Sequence, residues 1–346
     1  MSTDPVPSPP PTPTAPSTPT MRALQFSAYG TPRDVLKEVR LPLPVPGPDE
    51  VLVRVKAAGL NPYDWHFYRG DPYLVRLTTG LRRLRKPRVA GADFSGTVAQ
   101  VGADVAQFSI GELVFGEQGK GGAFAEYVAV PAENIAAMPQ SASFEEAAAI
   151  PMGALTATAA LRDAGDLTPG QSVLVNGASG GVGIFTIQLA RAWGASRVVG
   201  ICSGRNVELV RSLGADAVID YTQENYWEGG EEFDLMVDTQ NSQPLRRSLK
   251  AIRRGGTYAF AGGGGGKLMG PGGPMMRAMA QGLVRRHRVA GVFAKPRGED
   301  LAAVATLIDD GAVTVPIEAT YDWDEAAVAF ERLESNRVSG KLVVRI

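Results

Sequence analysis

Residues 173–183 read VLVNGASGGVG, and residues 184–195 continue IFTIQLARAWGA. An apolar run ends in a glycine cluster, and an amphipathic stretch follows at once. This is the pattern of a strand, a tight turn and a helix whose free N-terminal amides face an anion. Within it, Ala178 to Gly183 spell A-x-G-G-V-G, with Ala178 where the usual first glycine stands. Gly180 lets the backbone approach a pyrophosphate, and Gly183 lets the helix pack closely on its strand. Ser179, Gly181 and Val182 complete a loop read as dinucleotide-binding, the alternative being a plain glycine turn.

Strand and helix patterns alternate beyond this point. RVVGICS (197–203), ADAVIDY (215–221), FDLMVDT (233–239) and GGTYAFAG (255–262) read as strands. NVELVRSLG (206–214) and SQPLRRSLKAI (242–252) read as helices between them. Repeated βα units predict an α/β fold with a doubly wound parallel sheet. A site that prefers NAD places a carboxylate about twenty residues beyond the glycines, at the end of the second strand. Here that position falls near Cys202, and no carboxylate occurs before Glu208. Ser203 and Arg205 instead offer a hydroxyl and a guanidinium suited to a 2′-phosphate, and Tyr221 can add a contact. The cofactor expected is NADP(H); the alternative for Arg205 is a solvated residue at a helix start.

The segment before the nucleotide unit is β-rich. MRALQFSAYG (21–30), EVLVRVKAAGL (50–60), FSGTVAQVG (94–102) and EYVAVPAENIAAMP (126–139) carry strand patterns between Gly and Pro signals. A helix is expected over SFEEAAAIPMGALTATAALRDA (143–164), capped by Ser143 or Ser141, with Glu145 and Glu146 in its first turn. Residues 1–20 are almost entirely Pro, Ser and Thr and predict a disordered tail. GGGGGKLMGPGGPMM (262–276) predicts a loop, and EDLAAVATLIDDG (299–311) and DEAAVAFERLES (324–335) predict helices before a final strand in GKLVVRI (340–346).

Composition excludes several classes. Thirty-five basic and thirty-six acidic side chains give a net charge of −1, unlike a nucleic-acid binder with a concentrated basic face. Cys202 is the single cysteine, which precludes an intrachain disulfide, and no apolar run approaches the ~20 residues of a bilayer span. With neither a secretory nor a transit signal at the N-terminus, a cytoplasmic protein is expected. LRRLRKPR (81–88) is unusually basic and reads as a solvated loop or as an attractor of anions.

The order of AGLNPYDW (58–65), GADFSGTV (91–98), GGAFAEYV (121–128), ALTA (154–157), NGASGGVG (176–183), SLGADAVIDY (212–221) and GKLVV (340–344) resembles the medium-chain dehydrogenase/reductase superfamily. More narrowly it is similar to the zinc-independent quinone oxidoreductase branch. The resemblance covers residues 21–346. It implies a GroES-like catalytic domain built from 21–147 and a return segment at 289–346, around a Rossmann domain at 148–288. It also implies a homodimer.

Zinc relatives in this superfamily carry a Cys after the early strand and a His-Glu pair in the next motif. AAGLNPYDW and GADFSG hold neither Cys nor His at those positions, and His66, Cys202 and His287 are too scattered for a tetrahedral site. No metal is expected. Without a Lewis acid to stabilise an alkoxide, a conjugated acceptor that spreads the incoming charge is the better substrate: a quinone, an enone or an enal.

The resemblance places Asn61 and Asp64 of NPYDW near the nicotinamide, Asn61 bonding the cofactor or the substrate oxygen and Asp64 anchoring the loop. Both residue types also make local turns. Tyr63, Phe67 and Tyr68 are read as pocket-lining or core aromatics, with Tyr68 a candidate proton donor. Thr156, Gly340 and Lys341 match elements that approach the cofactor in relatives. The function expected is NADPH-dependent reduction of a quinone or enone. A nucleotide-binding sensor or scaffold of the same fold and an acyl-chain enoyl reductase module are the alternatives.

Overall fold

A computed structural model describes residues 19–262 and 287–346. The tail expected at 1–20 therefore lies almost wholly outside the described residues, as does most of the glycine-rich segment 262–276.

The six strands of the nucleotide unit are β9 (Ser172–Asn176), β10 (Arg197–Cys202), β11 (Ala217–Asp220), β12 (Phe233–Asp238), β13 (Ile252–Phe260) and β14 (Arg288–Gly291). They form a fully parallel sheet in the order β11-β10-β9-β12-β13-β14. The chain reverses direction of progression between β9 and β12, which opens a crevice at their carboxyl ends. Val173, Leu174 and Val175 are buried on both faces, as a central parallel strand requires. The helix Gly183–Ala192 lays Ile184, Phe185, Ile187 and Leu189 against one face, together with Leu301 and Val304 of the helix Gly298–Asp309. The parallel sheet thus runs to Gly291, past the boundary expected at 288.

The β-rich unit contains β1 (Thr20–Phe26), β2 (Lys37–Pro42), β3 (Glu50–Gly59), β4 (Arg88–Val89), β5 (Asp93–Val101), β6 (Leu113–Glu117), β7 (Tyr127–Pro131) and β8 (Ile135–Ala137). The chain returns to it with β15 (Ile317–Tyr321) and β16 (Lys341–Arg345). One sheet runs β15-β16-β3-β5-β6-β8, with β7 also on β3, and a smaller one runs β2-β1-β4. Their core is Phe94, Phe124, Phe330, Leu60 and Tyr68.

The helix expected over 143–164 is interrupted. Phe144–Ala148 is capped reciprocally by Ser143 and Glu146, at 3.2 and 2.8 Å, which selects Ser143 over Ser141 as the cap. Pro151 then opens a second helix, Pro151–Thr158, which continues as a turn of π-helix over Ala159–Ala164. Proline cannot donate within a helix interior and fits its first turn, which explains the break.

Candidate active site

Strand register assembles a row of polar side chains at one end of the larger sheet. Asp93 pairs with Gly59 and with Glu117, Val343 pairs with Gly59, and Leu60 N–H donates to Leu342 O at 3.0 Å. Lys341, Asn61, Asp93 and Glu117 therefore come from four adjacent strands or their immediate ends, and all are buried. Lys341 Nζ donates to Asn61 Oδ1 at 2.5 Å, and Asn61 Nδ2 donates to Asp93 Oδ2 at 2.8 Å. Met152 N–H donates to the same Asp93 oxygen at 3.1 Å, and the Lys341 ammonium lies 3.8 Å from it. Asp93 Oδ1 is buried with no partner among the described residues. Asn61 also heads the helix Pro62–Arg69, where Asp64 Oδ2 reaches back to accept from Asn61 N–H at 2.8 Å.

Burial dominates the titration of this cluster. It pushes Asp64 up to about 8, against the Asn61 N–H and with a push from Asp93. Glu117 also rises to about 8, through burial and then repulsion from Asp93 and Asp64. Burial raises Asp93 to about 6, opposed first by the Lys341 ammonium and then by its hydrogen bonds from Asn61 and Met152. Lys341 is lowered by burial, against the attraction of Asp93, Asp64 and Glu117.

Two adjoining cavities, about 420 and about 370 Å³, lie along the crevice and share Gly180, Gln240, Asn336 and Val338. The first is lined by Ser179, Ser203, Arg205, Tyr221 and the neighbouring Tyr226 and Trp227. The second is lined by Asn61, Tyr63, His66, Thr156, Gly181, Val182, Gly340 and Lys341. The glycine loop runs between them. A Cβ at Gly180 would meet only Gly177 O at 3.4 Å, so its outer side is open, whereas a Cβ at Gly183 would meet Ala178 Cα at 2.7 Å. Ala178 is buried against β10, where Gly200 leaves room for its methyl. This cradle of open backbone beside a helix N-terminus fits a dinucleotide pyrophosphate.

The return segment is tied to the same loop. Gly340 N–H donates to Ser179 O at 2.7 Å, and its φ of 83° and contact with Pro316 O leave no room for a side chain. Buried Asn206, absent from the sequence-based candidates, donates to Ser179 Oγ at 2.8 Å and accepts from Ser339 Oγ at 2.7 Å. Arg205 lines the first cavity with its guanidinium on Arg337 O at 2.8 Å.

Tyr68 is corrected. Its ring is buried between Phe26 and Phe330, and its hydroxyl donates to Glu334 Oε1 at 2.7 Å, away from both cavities. Phe67 likewise stands outside the cleft, packed edge-on against Tyr63 with Arg88 over its ring. Helical spacing explains Tyr68: Asp64 and Tyr68, four positions apart, share the buried inward face of Pro62–Arg69, while Tyr63 and His66 turn toward the cleft. Asp93 and Glu117 were not among the candidates; each stands at a strand terminus and joins the row through cross-strand register.

These side chains do not fit a zinc ion. Asp93 and Asn61 face an ammonium, His66 Nδ1 is held at 2.5 Å from Asp71 O, and no described group of three or more His, Cys, Asp or Glu side chains is arranged for a metal. No described helix is long and apolar enough to cross a membrane.

A doubly wound parallel sheet with an open glycine loop, beside a second, largely antiparallel sheet that carries the buried polar row, is the arrangement of an oxidoreductase that takes a nicotinamide cofactor. The comparisons with known proteins agree. Residues 47–140 match the alcohol dehydrogenase GroES-like domain, and residues 213–344 match a domain described as zinc-binding dehydrogenase. The mitochondrial NAD(P)H oxidoreductase RTN4IP1 of Danio rerio is 33% identical, the alignment covering 94% of this chain and 91% of that protein. The 2-methylene-furan-3-one reductase of Solanum lycopersicum is 33% identical over 94% of this chain and 79% of its own length. Among solved structures, the quinone oxidoreductase from Coxiella burnetii superposes with a TM-score of 0.83 at 29% identity, covering 95% of this chain and all of that one. The chain belongs to the medium-chain dehydrogenase/reductase superfamily, in its quinone oxidoreductase branch.

Proposed function

We propose that the protein is an NADPH-dependent, zinc-independent reductase that delivers hydride to a quinone or an α,β-unsaturated carbonyl. The observation that carries this reading is the Lys341 ammonium, held at the cleft wall by Asn61 and beside Asp93. NADPH, when bound, supplies the hydride. Gly180 and the helix N-terminus behind it accommodate the pyrophosphate, Ser203 and Arg205 receive the 2′-phosphate, and Thr156 and Val182 wall the inner cavity. Asn61 and Lys341 present donors to the inner cavity, whose remaining lining is largely apolar.

Hydride addition to a conjugated carbon moves an electron pair onto the carbonyl oxygen. Lys341 and Asn61 stabilise that oxyanion, and Asp93 orients both. Charge delocalised over an enolate or a hydroquinone needs less assistance than an isolated alkoxide, which favours conjugated acceptors over simple ketones. The relatives named for quinone and furanone reduction support the same substrate class. Association as a homodimer and a reducing, cytoplasmic setting for the buried Cys202 thiol complete the proposal.

The test mixes the purified chain with NADPH and a panel of quinones, enones and simple ketones in the presence of a chelator. The proposal expects oxidation of NADPH with the conjugated acceptors only, unchanged by the chelator. Retained NADPH binding without any turnover would leave a nucleotide sensor instead.

A further inference from the structure

Among the described residues, ten large apolar side chains are exposed, and four of them lie within nine positions: Tyr73, Leu74, Leu77 and Leu81, at 46 to 65% exposure. The same stretch, residues 72–91, holds six Lys or Arg and no Asp or Glu, in a chain whose net charge is −1. Clustering of both kinds on one segment is what distinguishes it from scattered surface leucines, which need no explanation.

The segment is fastened from beneath and free above. The short helix Val75–Thr79 is anchored by Tyr29, whose hydroxyl lies 2.6 Å from Thr79 Oγ1 and donates to Gly80 O. Arg76 stacks between the rings of Tyr29 and Tyr73, and Leu84 inserts into the core of the β-rich unit. The loop folds back on the helix: Arg85 N–H donates to Thr79 O at 2.8 Å and its guanidinium to Leu77 O at 3.3 Å. Leu74, Leu77 and Leu81 are therefore presented beside Arg82, Arg83, Arg85 and Lys86, all exposed. Arg82, Arg83 and Lys86 make no hydrogen bond or ion pair with the described residues.

We propose that residues 72–88 are a peripheral docking surface for an anionic lipid bilayer, with the leucines and Tyr73 entering the headgroup region and the cations meeting lipid phosphates. Apolar insertion combined with basic charge is the signature of a surface that lies on a membrane without spanning it. The opposite charge of such a bilayer favours it over an uncharged apolar partner. The patch also adjoins the cleft: His66 lines the inner cavity and is bonded to Asp71 O, one residue before the segment begins. On the reading of the protein as a quinone or enone reductase, this brings the cleft mouth close to acceptors dissolved in the bilayer.

The experiment is co-sedimentation of the full chain with phosphatidylcholine vesicles, with and without phosphatidylserine, in the absence of NADPH and acceptor. Binding is expected only to the anionic vesicles and is expected to fall as salt rises. The Arg82→Ala/Arg83→Ala variant should partition about 30-fold more weakly, at about fivefold per cation. The Leu74→Ser/Leu77→Ser variant should also bind weakly although its charges are intact. Equal binding to neutral and anionic vesicles, no binding at low salt, or wild-type binding by both variants would overturn the proposal. Self-association abolished by the leucine variant, without vesicle binding, would overturn it in favour of a second copy of the chain. Since the readout needs no turnover, it is independent of the reductase reading; turnover of a water-soluble acceptor by both variants should match wild type.

Discussion

Lys341 Nζ and Asn61 Oδ1 meet at 2.5 Å although 280 residues separate them in the chain. The contact makes one asparagine amide the bridge between a buried ammonium and the buried Asp93 carboxylate. It also sets a positive charge against the glycine loop: Lys341 Cδ would stand 3.0 Å from a Cβ at Gly181.

Removing that charge should separate chemistry from stability. Lys341→Met is expected to lower kcat by about 100-fold or more, as for loss of an oxyanion donor. It also strands Asp93, with a loss of about 3–5 kcal/mol in stability. Adding Asp93→Asn should restore much of the thermal stability without restoring kcat. Steady-state kinetics and thermal unfolding of both variants check this; recovery of activity in the double variant would refute a direct role for the ammonium.

Two glycines in one loop should fail in different ways. A methyl at Gly180 meets only ordinary contact, so Gly180→Ala should fold normally and lose NADPH affinity more than tenfold by blocking the pyrophosphate. A methyl at Gly183 runs into Gly177 O and the Ala178 backbone, so Gly183→Ala should be destabilised by about 1–3 kcal/mol or more. Melting temperatures with and without NADPH distinguish the two.

Arg205→Ala should weaken NADPH binding by roughly 10- to 100-fold, the value of about 1.5–3 kcal/mol for a charged hydrogen bond. NADH binding should change little. The guanidinium leaves Arg337 O in exchange for phosphate, so part of its gain is offset in the wild type. Fluorescence titration of both nucleotides is the measurement, and equal losses would show that Arg205 does not read the phosphate.

Stability should fall with rising pH across the range where Asp64 titrates. Its carboxyl is raised from 3.8 to about 8 by burial, so the folded state holds a proton that the unfolded chain releases. The unfolded chain binds fewer protons between those values, so unfolding becomes easier as pH climbs from about 4 to about 8. Asp64→Asn keeps an acceptor for Asn61 N–H and should flatten this part of the profile. Chemical denaturation at several pH values follows the slope.

The nucleotide loop was legible in sequence because it is contiguous and its chemistry is that of the backbone. A-x-G-G-V-G needed only its flanking strand and helix to be interpreted, and Ser203, Arg205 and Tyr221 follow at fixed distances and do line the first cavity. The polar row was only half legible. Asn61 and Lys341 were reached through family motifs, but Asp93 and Glu117 act through cross-strand register, which no local pattern reveals. Tyr68 shows the converse: proximity to Asn61 in sequence suggested the cleft, while a helical period of 3.6 turned it into the core. Asn206 was invisible because its partners, Ser179 and Ser339, lie on two other segments.

The pairing of β16 with β3 also dictates an order of assembly. β7 covers Glu50–Arg54 on one edge of β3, and β16 covers Ala57–Gly59 farther along that edge. During synthesis that edge of those three residues must wait, paired only with β5 on the other side, while some 280 more residues are made. The parallel sheet can close and shelter its own core in that interval, but the ammonium reaches the cleft only when Lys341 emerges. A newly made chain thus acquires its glycine loop well before its Lys341–Asn61–Asp93 cluster, and the open edge of β3 is the place where a chaperone or a neighbouring chain would intervene.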